Sequence, residues 1–288
     1  MTRRKIFTII TFTILMLLIG RNSTFLPRFS FFLNTKNESA ALKKQIQEVV
    51  RQQTGSYSVY FSNVDDGRLS FGINENFIHT AASVNKVPIV VTLYYLASQN
   101  KINLDEKITV QENDIQDYGT GSLRYEEPGR SYSLKTLAKL TLEQSDNTAA
   151  HILAQKIGTD NIHEVIENFG LTQTSMENNK TTLTDMHILF KKIYSGEIAN
   201  KALTNELLDF LKDTDIEDRI PKLLPEDTVV YHKTGDAVGI IHDVGIVEQS
   251  NNAFFVGIMT SDIGNREEET KNAIAKIAKI IFDFNMNK

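Results

Sequence analysis

Ser83-Val84-Asn85-Lys86 places a hydroxyl and an amine three residues apart at the start of an apolar stretch. On a helix such residues are neighbours, so the amine can take the hydroxyl proton and leave an oxygen nucleophile. A lysine does this near neutral pH only where burial or a second cation lowers its pKa. The following residues, Val87, Ile89, Val90, Val91, Leu93 and Leu96, are apolar on nearly every side, which predicts a helix buried between other elements. Pro88 has no N–H for the carbonyl of Val84, so a kink just past the serine is expected. The pair alone is a weak signal, because 17 Ser and 21 Lys in 288 residues produce roughly one such spacing by chance. A second one, Ser98-Gln99-Asn100-Lys101, falls where the apolar pattern gives way to polar residues and reads as a solvated helix end.

Two further groups raise the first pair. Ser145-Asp146-Asn147 ends one apolar helix and begins the next, and taken alone it is an ordinary helix N-cap. Lys233-Thr234-Gly235 closes the apolar strand Val229–His232 and taken alone is a strand-end turn. Together the three groups supply what acyl transfer needs. They offer a nucleophile with its base, a second hydroxyl to relay a proton to a leaving amine, and an edge strand whose cation can hold a carboxylate. Gly235 would let a flat substrate approach the backbone. His232 and His242, with Asp243 nearby, read as packed strand histidines rather than metal ligands. No glycine-rich phosphate loop or HExxH pattern occurs, so no metal and no cofactor is expected.

The elements that position these groups follow from periodicity. A helix is expected over Ser39–Gln53, then strands Ser56–Asn63 and Leu69–Ile73 around the turn signal Asp65-Asp66-Gly67. From Ala82 to about Leu223 the pattern is helical: Ser83–Ser98, Leu134–Leu142, Asn147–Ile157, Asn161–Asn168, Thr184–Tyr194 and Thr204–Lys212. Strands return at Thr228–Lys233, Ile240–Glu248 and Ala253–Thr260, before a last helix from about Glu267 to Phe284. The expected fold is α/β (α+β): a five-stranded antiparallel sheet covered by N- and C-terminal helices, with an inserted all-helical lobe. The sheet lobe takes residues 38–80 and 226–288, and the helical lobe residues 81–225.

Composition bounds the rest. The absence of Cys removes disulfides, thiolate metal sites and lipid attachment through a cysteine. Six basic residues and no acid occur in residues 1–37, so residues 38–288 carry 25 basic against 36 acidic ones, a net of −11. Such an acidic domain is a poor partner for nucleic acid or an anionic membrane. Arg3-Arg4-Lys5 followed by the apolar run Ile6–Ile19 reads as an export segment, residues 1–20, either a cleaved signal peptide or a retained anchor. Residues 21–37 read as a spacer. The charges keep the N-terminus in the cytosol and place the 38–288 domain outside it, at the cell surface or secreted, with the membrane met only through the N-terminal segment. A monomer is expected.

The order Ser-x-x-Lys, Ser-Asp-Asn, Lys-Thr-Gly resembles the penicillin-recognising serine hydrolases, specifically the class A beta-lactamase family. The resemblance extends from about Ser39 to the C-terminus and includes Ser122-Leu123 leading to Glu127-Pro128-Gly129, and Ile241 to Ile246. It implies that Ser83 is acylated, Lys86 accepts its proton, and Ser145 passes a proton to the leaving nitrogen. Asn147 would hold the substrate's side-chain amide, and Lys233 and Thr234 its carboxylate. The backbone N–H groups of Ser83 and Asp236 would form the oxyanion hole. Asp236 departs from the family pattern, since an acid beside a carboxylate site adds repulsion unless it points away. A larger departure is the stretch Phe169 to Asn179, too short for the family's glutamate-bearing loop, with Glu177 its one acid. The implied ligands are a small-molecule beta-lactam or a peptidoglycan stem peptide. Three activities remain open: lactam hydrolysis, D-alanyl-D-alanine peptidase or esterase action, and a wall sensor that is acylated or binds peptide without turnover.

Overall fold

A computed structural model describes residues 25–65, 69–250 and 252–287, with the backbone alone for residues 25–37. The export segment and the turn residues Asp66 and Gly67 lie outside the described residues. Helix α1 (Phe25–Val50) leads into strands β1 (Ser56–Asn63) and β2 (Ser70–Ile73). The short β3 (His79–Thr80) is followed by a 3-10 turn, Ala82–Asn85, and by α2 (Lys86–Ser98). The helical lobe continues through β4 (Lys107–Thr109), β5 (Ser131–Ser133), α3 (Leu134–Glu143), α4 (Asn147–Ile157) and α5 (Thr159–Asn168). It closes with β6 (Lys180–Thr181), α6 (Leu183–Tyr194) and α7 (Lys201–Asp209). Strands β7 (Val229–Ala237), β8 (Ile240–Gln249) and β9 (Asn252–Ser261) and helix α8 (Glu267–Met286) complete the chain.

The five long strands form one antiparallel sheet in the order β2-β1-β9-β8-β7, the expected arrangement. Side-chain alternation along β9 explains why the sheet carries two cores. Phe254, Val256 and Ile258 pack with Leu42, Ile46 and Val49 of α1 and Ile274, Ile277 and Ile281 of α8. Phe255 and Met259 instead pack with Leu183, Met186 and Phe190 of α6 and, through them, with the helical lobe. Among the described residues no helix is long and apolar enough to cross a membrane.

Four expectations change. Helix α1 begins at Phe25, inside the stretch 21–37 expected as a spacer and ahead of the Ser39 start expected for the first helix. The first turn of the nucleophile helix is 3-10, and α2 begins only at Lys86. Pro88 therefore falls in the first helical turn, where its missing N–H would have had no helical partner, so it starts the helix rather than kinking it. Lys233-Thr234-Gly235 is not a strand-end turn: β7 continues to Ala237, with these residues paired to Val244, Asp243 and His242 of β8. Two small ladders, β3 with β6 and β4 with β5, tie the lobes' loops and were not legible in strands of two or three residues.

Candidate active site

The site forms where the helical lobe meets the edge strand β7. Ser83 sits in the 3-10 turn, directly after Ala82, whose φ is 49°. That left-handed backbone is costly for a residue with a Cβ and turns the chain sharply out of β3 into the cleft. A Cβ at Gly235 would lie 3.1 Å from both the Ala81 carbonyl oxygen and Val84 Cγ2. What Gly235 admits is thus the turn that carries Ser83, seated against β7, rather than the flat substrate expected from the sequence.

Lys86 Nζ is the hub. It lies 3.1 Å from Ser83 Oγ, 3.1 Å from Ser145 Oγ and 2.6 Å from Asn147 Oδ1, and it also donates to the Ser145 carbonyl. Four oxygens thus compete for an ammonium with three hydrogens. A neutral amine in the same seat has a lone pair to take a proton from either hydroxyl. Lys86 is buried, and burial together with the charge of Lys233 lowers its pKa to about 7, a shift that Asp146 partly opposes. The base expected from Ser83-x-x-Lys86 is therefore in place and near neutral at physiological pH.

Ser145, also buried, has a φ of 55°, again left-handed. Asp146 accounts for its position: Oδ1 accepts from the Ala149 N–H at the start of α4, and Oδ2 accepts from the Leu123 N–H, both at 2.8 Å. This is an N-cap in the ordinary sense, and it fixes the turn that aims Ser145 at Lys86. The bland and the functional readings of the Ser-Asp-Asn group are both satisfied. Asn147 spends its carboxamide on Lys86 and on the Tyr118 carbonyl, to which Nδ2 donates at 2.9 Å. The loop Tyr118–Gly121 was missed by sequence reasoning. Gly121, with φ 109°, lies where a Cβ would meet the Asp146 carboxylate at 2.2 Å, and this Gly-Thr-Gly spacing was the available signal.

On β7 the expected anion-binding residues are buried. Lys233 is 2% and Thr234 3% exposed, whereas the Asp236 side chain is 44% exposed and reaches the cleft. Burial lowers the Lys233 pKa to about 8, with Asp243 and Asp236 favouring its charge and Arg219 opposing it. Arg219, fully buried and unmarked by any sequence pattern, donates from Nη2 to both Asp236 oxygens at 2.7 and 2.8 Å and from Nη1 to the His242 carbonyl at 2.7 Å. The acid that departed from the family pattern is thus ion-paired. His232 meets Asp243 at Nδ1 (2.7 Å) and Glu217 at Nε2 (3.1 Å). Burial alone would lower its pKa, but the two carboxylates outweigh that and raise it to about 9. His242 spends Nε2 on the Thr80 carbonyl and Nδ1 on the Thr260 N–H, so both strand histidines are committed to the protein.

Ser83, Lys86, Ser145, Asn147 and Asp236 line one cavity of about 420 Å³ together with Tyr118, Gly119, Thr120, Asn179 and Ile216. A second, of about 370 Å³, adjoins it through Ala82, Lys86, Tyr118, Asn147 and Asn179 and is walled by Ile89, Ala150, His151, Met176 and Glu177. The short stretch Phe169–Asn179 bounds this second space. Ser175 and Lys180 exchange backbone hydrogen bonds at 2.9 and 3.0 Å, closing a tight turn with Glu177 exposed on it. Asn85 donates to Ser175 O at 3.3 Å and to Asn179 Oδ1 at 3.1 Å and so anchors that turn beside Lys86.

Comparison with known proteins agrees with this geometry. The chain is 23% identical to beta-lactamase VEB-1 of Pseudomonas aeruginosa over 89% of its own length and 94% of the relative's. It is 22% identical to the extended-spectrum beta-lactamase PER-1 of Pseudomonas aeruginosa, over 90% and 92%. Among solved structures, a point mutant of PBP-A, captured as an acyl-enzyme with penicillin G, superposes with a TM-score of 0.79 at 26% identity, over 86% of this chain and 97% of that one. The TLA-1 extended-spectrum beta-lactamase superposes with a TM-score of 0.79 at 25% identity, over 85% and 98%. With a family model matching residues 41–284, the chain belongs to the beta-lactamase enzyme family and is a class A-like serine hydrolase.

Proposed function

We propose that this chain is an exported serine acyl-hydrolase that opens beta-lactams through an acyl-enzyme at Ser83. The observation that carries the reading is the 3.1 Å approach of Lys86 Nζ to Ser83 Oγ, in a seat where burial and Lys233 hold the amine near neutrality. Ser83 Oγ adds to the lactam carbonyl as its proton passes to Lys86 Nζ. The N–H groups of Ser83 and Asp236 receive the oxyanion, each donor contributing about 3 kcal/mol in comparable sites. Ser145 Oγ hands a proton to the leaving nitrogen as the C–N bond breaks, and Lys86 restores that proton through the 3.1 Å contact. Water then cleaves the ester, releasing the acid and Ser83.

The tight turn at Ser175–Lys180, with Glu177 exposed on it, favours a second reading of the last step. Without a buried glutamate to activate water, the acyl-enzyme from a lactam is long-lived, and the natural substrate is an acyl-D-alanyl-D-alanine amide or ester of the cell wall. Export rests on Arg3-Arg4-Lys5 and the run Ile6–Ile19. The test is to incubate the protein with a labelled penicillin and follow the adduct by mass. A covalent adduct is expected in the parent protein and not in Ser83→Ala. An adduct that survives this substitution overturns the nucleophile. A lifetime of seconds assigns lactam hydrolysis, and one of hours assigns the peptidase or esterase, or a wall sensor that is acylated without turnover.

A further inference from the structure

We propose that His151 is the base that activates the water releasing the acyl group from Ser83. The proposal rests on the acyl-enzyme reading and names the proton acceptor that its last step requires. The cavity of about 370 Å³ meets the Ser83 cavity along Lys86 and Asn147. One of its walls is a single stripe of α4, Asn147, Ala150, His151 and Ala154, spaced i, i+3, i+4 and i+7. The two alanines leave room beside the half-buried imidazole. His151 stands one turn beyond Asn147, and side chains on a helix lean toward its N-terminus, so the ring lies over the turn that carries Asn147. Asn147 Oδ1 is 2.6 Å from Lys86 Nζ, which is itself 3.1 Å from Ser83 Oγ. The ring therefore borders the space through which water approaches an ester at Ser83.

The other two titratable groups on this cavity are less suited. Lys86 Nζ already has four oxygens around it, those of Ser83 and Ser145, the Ser145 carbonyl and Asn147 Oδ1, which leaves its lone pair no free side for water. Glu177 stands exposed on the tight turn. His151 instead has the arrangement of an oriented base. Its Nε2 meets the Gln155 carboxamide nitrogen at 2.8 Å, and Nδ1 has no protein partner among the described residues. A carboxamide donates from one end and accepts at the other, so by turning end for end it holds the ring both neutral and protonated. With Nε2–H given to Gln155, the Nδ1 lone pair takes a proton from water as the water oxygen adds to the ester carbonyl. The bond from the carbonyl carbon to Ser83 Oγ then breaks. The proton returns from the imidazolium, through water and Lys86 Nζ, to Ser83 Oγ, leaving the free acid, the serine hydroxyl and both bases neutral.

The experiment loads the full chain with a labelled penicillin, removes the excess and follows loss of the Ser83 adduct by mass. The parent, His151→Ala, His151→Gln and Glu177→Gln are compared, and the acylation rate is measured in each. Release is expected to slow about a hundredfold in both histidine variants while acylation is unchanged, which also shows that the variants are folded. Glu177→Gln should match the parent. Added imidazole should restore release in His151→Ala, where the ring's place is open, and not in His151→Gln, where it is filled. Glutamine can still bond Gln155 but cannot take a proton, so release at the parent rate in His151→Gln overturns the proposal. Slowing in His151→Ala without rescue by imidazole marks a positioning role and overturns it too, as does a parent adduct that is never released. No adduct in the parent overturns the acyl-enzyme reading, and the proposal with it.

Discussion

At the scale of single residues, Lys86 decides the chemistry. Burial and the Lys233 charge bring its pKa from the ordinary lysine range to about 7, and it must be neutral to accept the Ser83 proton. The sign follows: acylation is slow below pH 7, rises about tenfold for each pH unit as the amine loses its proton, and levels above that. Quenched-flow acylation between pH 5.5 and 9 checks this, and a flat profile or a midpoint near 10 would refute the role of Lys86. Replacing Lys233 by Gln removes the neighbouring cation, so the midpoint should move to higher pH as well as weakening binding. The pairing of Ser83 with Lys86 was readable from spacing, and the decoy at Ser98 was separable because polar residues surround it. Arg219 was not readable, because its work is to neutralise Asp236 across 17 residues of chain.

At the scale of elements, backbone conformation rather than composition aims the hydroxyls. Ser145 adopts φ 55° because Asp146 caps α4 and ties down Leu123, leaving the residue before the cap no relaxed alternative. Two substitutions separate strain from chemistry. Ser145→Ala and Ser145→Gly both remove the proton relay and should slow acylation about a hundredfold. Glycine alone relieves the left-handed strain, so it should be the more stable of the two by about 1 kcal/mol in urea melts. Equal stabilities would mean that the turn carries no strain. Periodicity located α2 and α4, but it could not show that the serine turn is 3-10 or that Pro88 opens α2, since both depend on where β7 presses on the chain.

At the scale of the whole molecule, one sheet serves two cores. Phe254 and Phe255, consecutive on β9 and both fully buried, face opposite sides, the first toward α1 and α8 and the second toward the helical lobe. Each Phe→Ala change should cost about 3–5 kcal/mol. Because the sheet is common to both cores, fluorescence and far-ultraviolet circular dichroism should report the same single transition for either variant. Separate transitions in Phe255→Ala would show instead that the helical lobe unfolds by itself.

By itself the sequence determined the order of elements, the two-lobed plan and the identity of the groups that meet, because hydrophobic periodicity and short-range spacing are local properties of the chain. It also located the shortened stretch between Phe169 and Asn179, since length is likewise local. Tertiary structure decided the rest: that Lys86 sits among Ser83, Ser145 and Asn147, that Gly235 makes room for the nucleophile's own turn, and that Asp236 is paired with a buried arginine. These depend on burial and on charges brought together from distant positions. Desolvation and Coulomb interactions act through space, and no spacing along the chain encodes them.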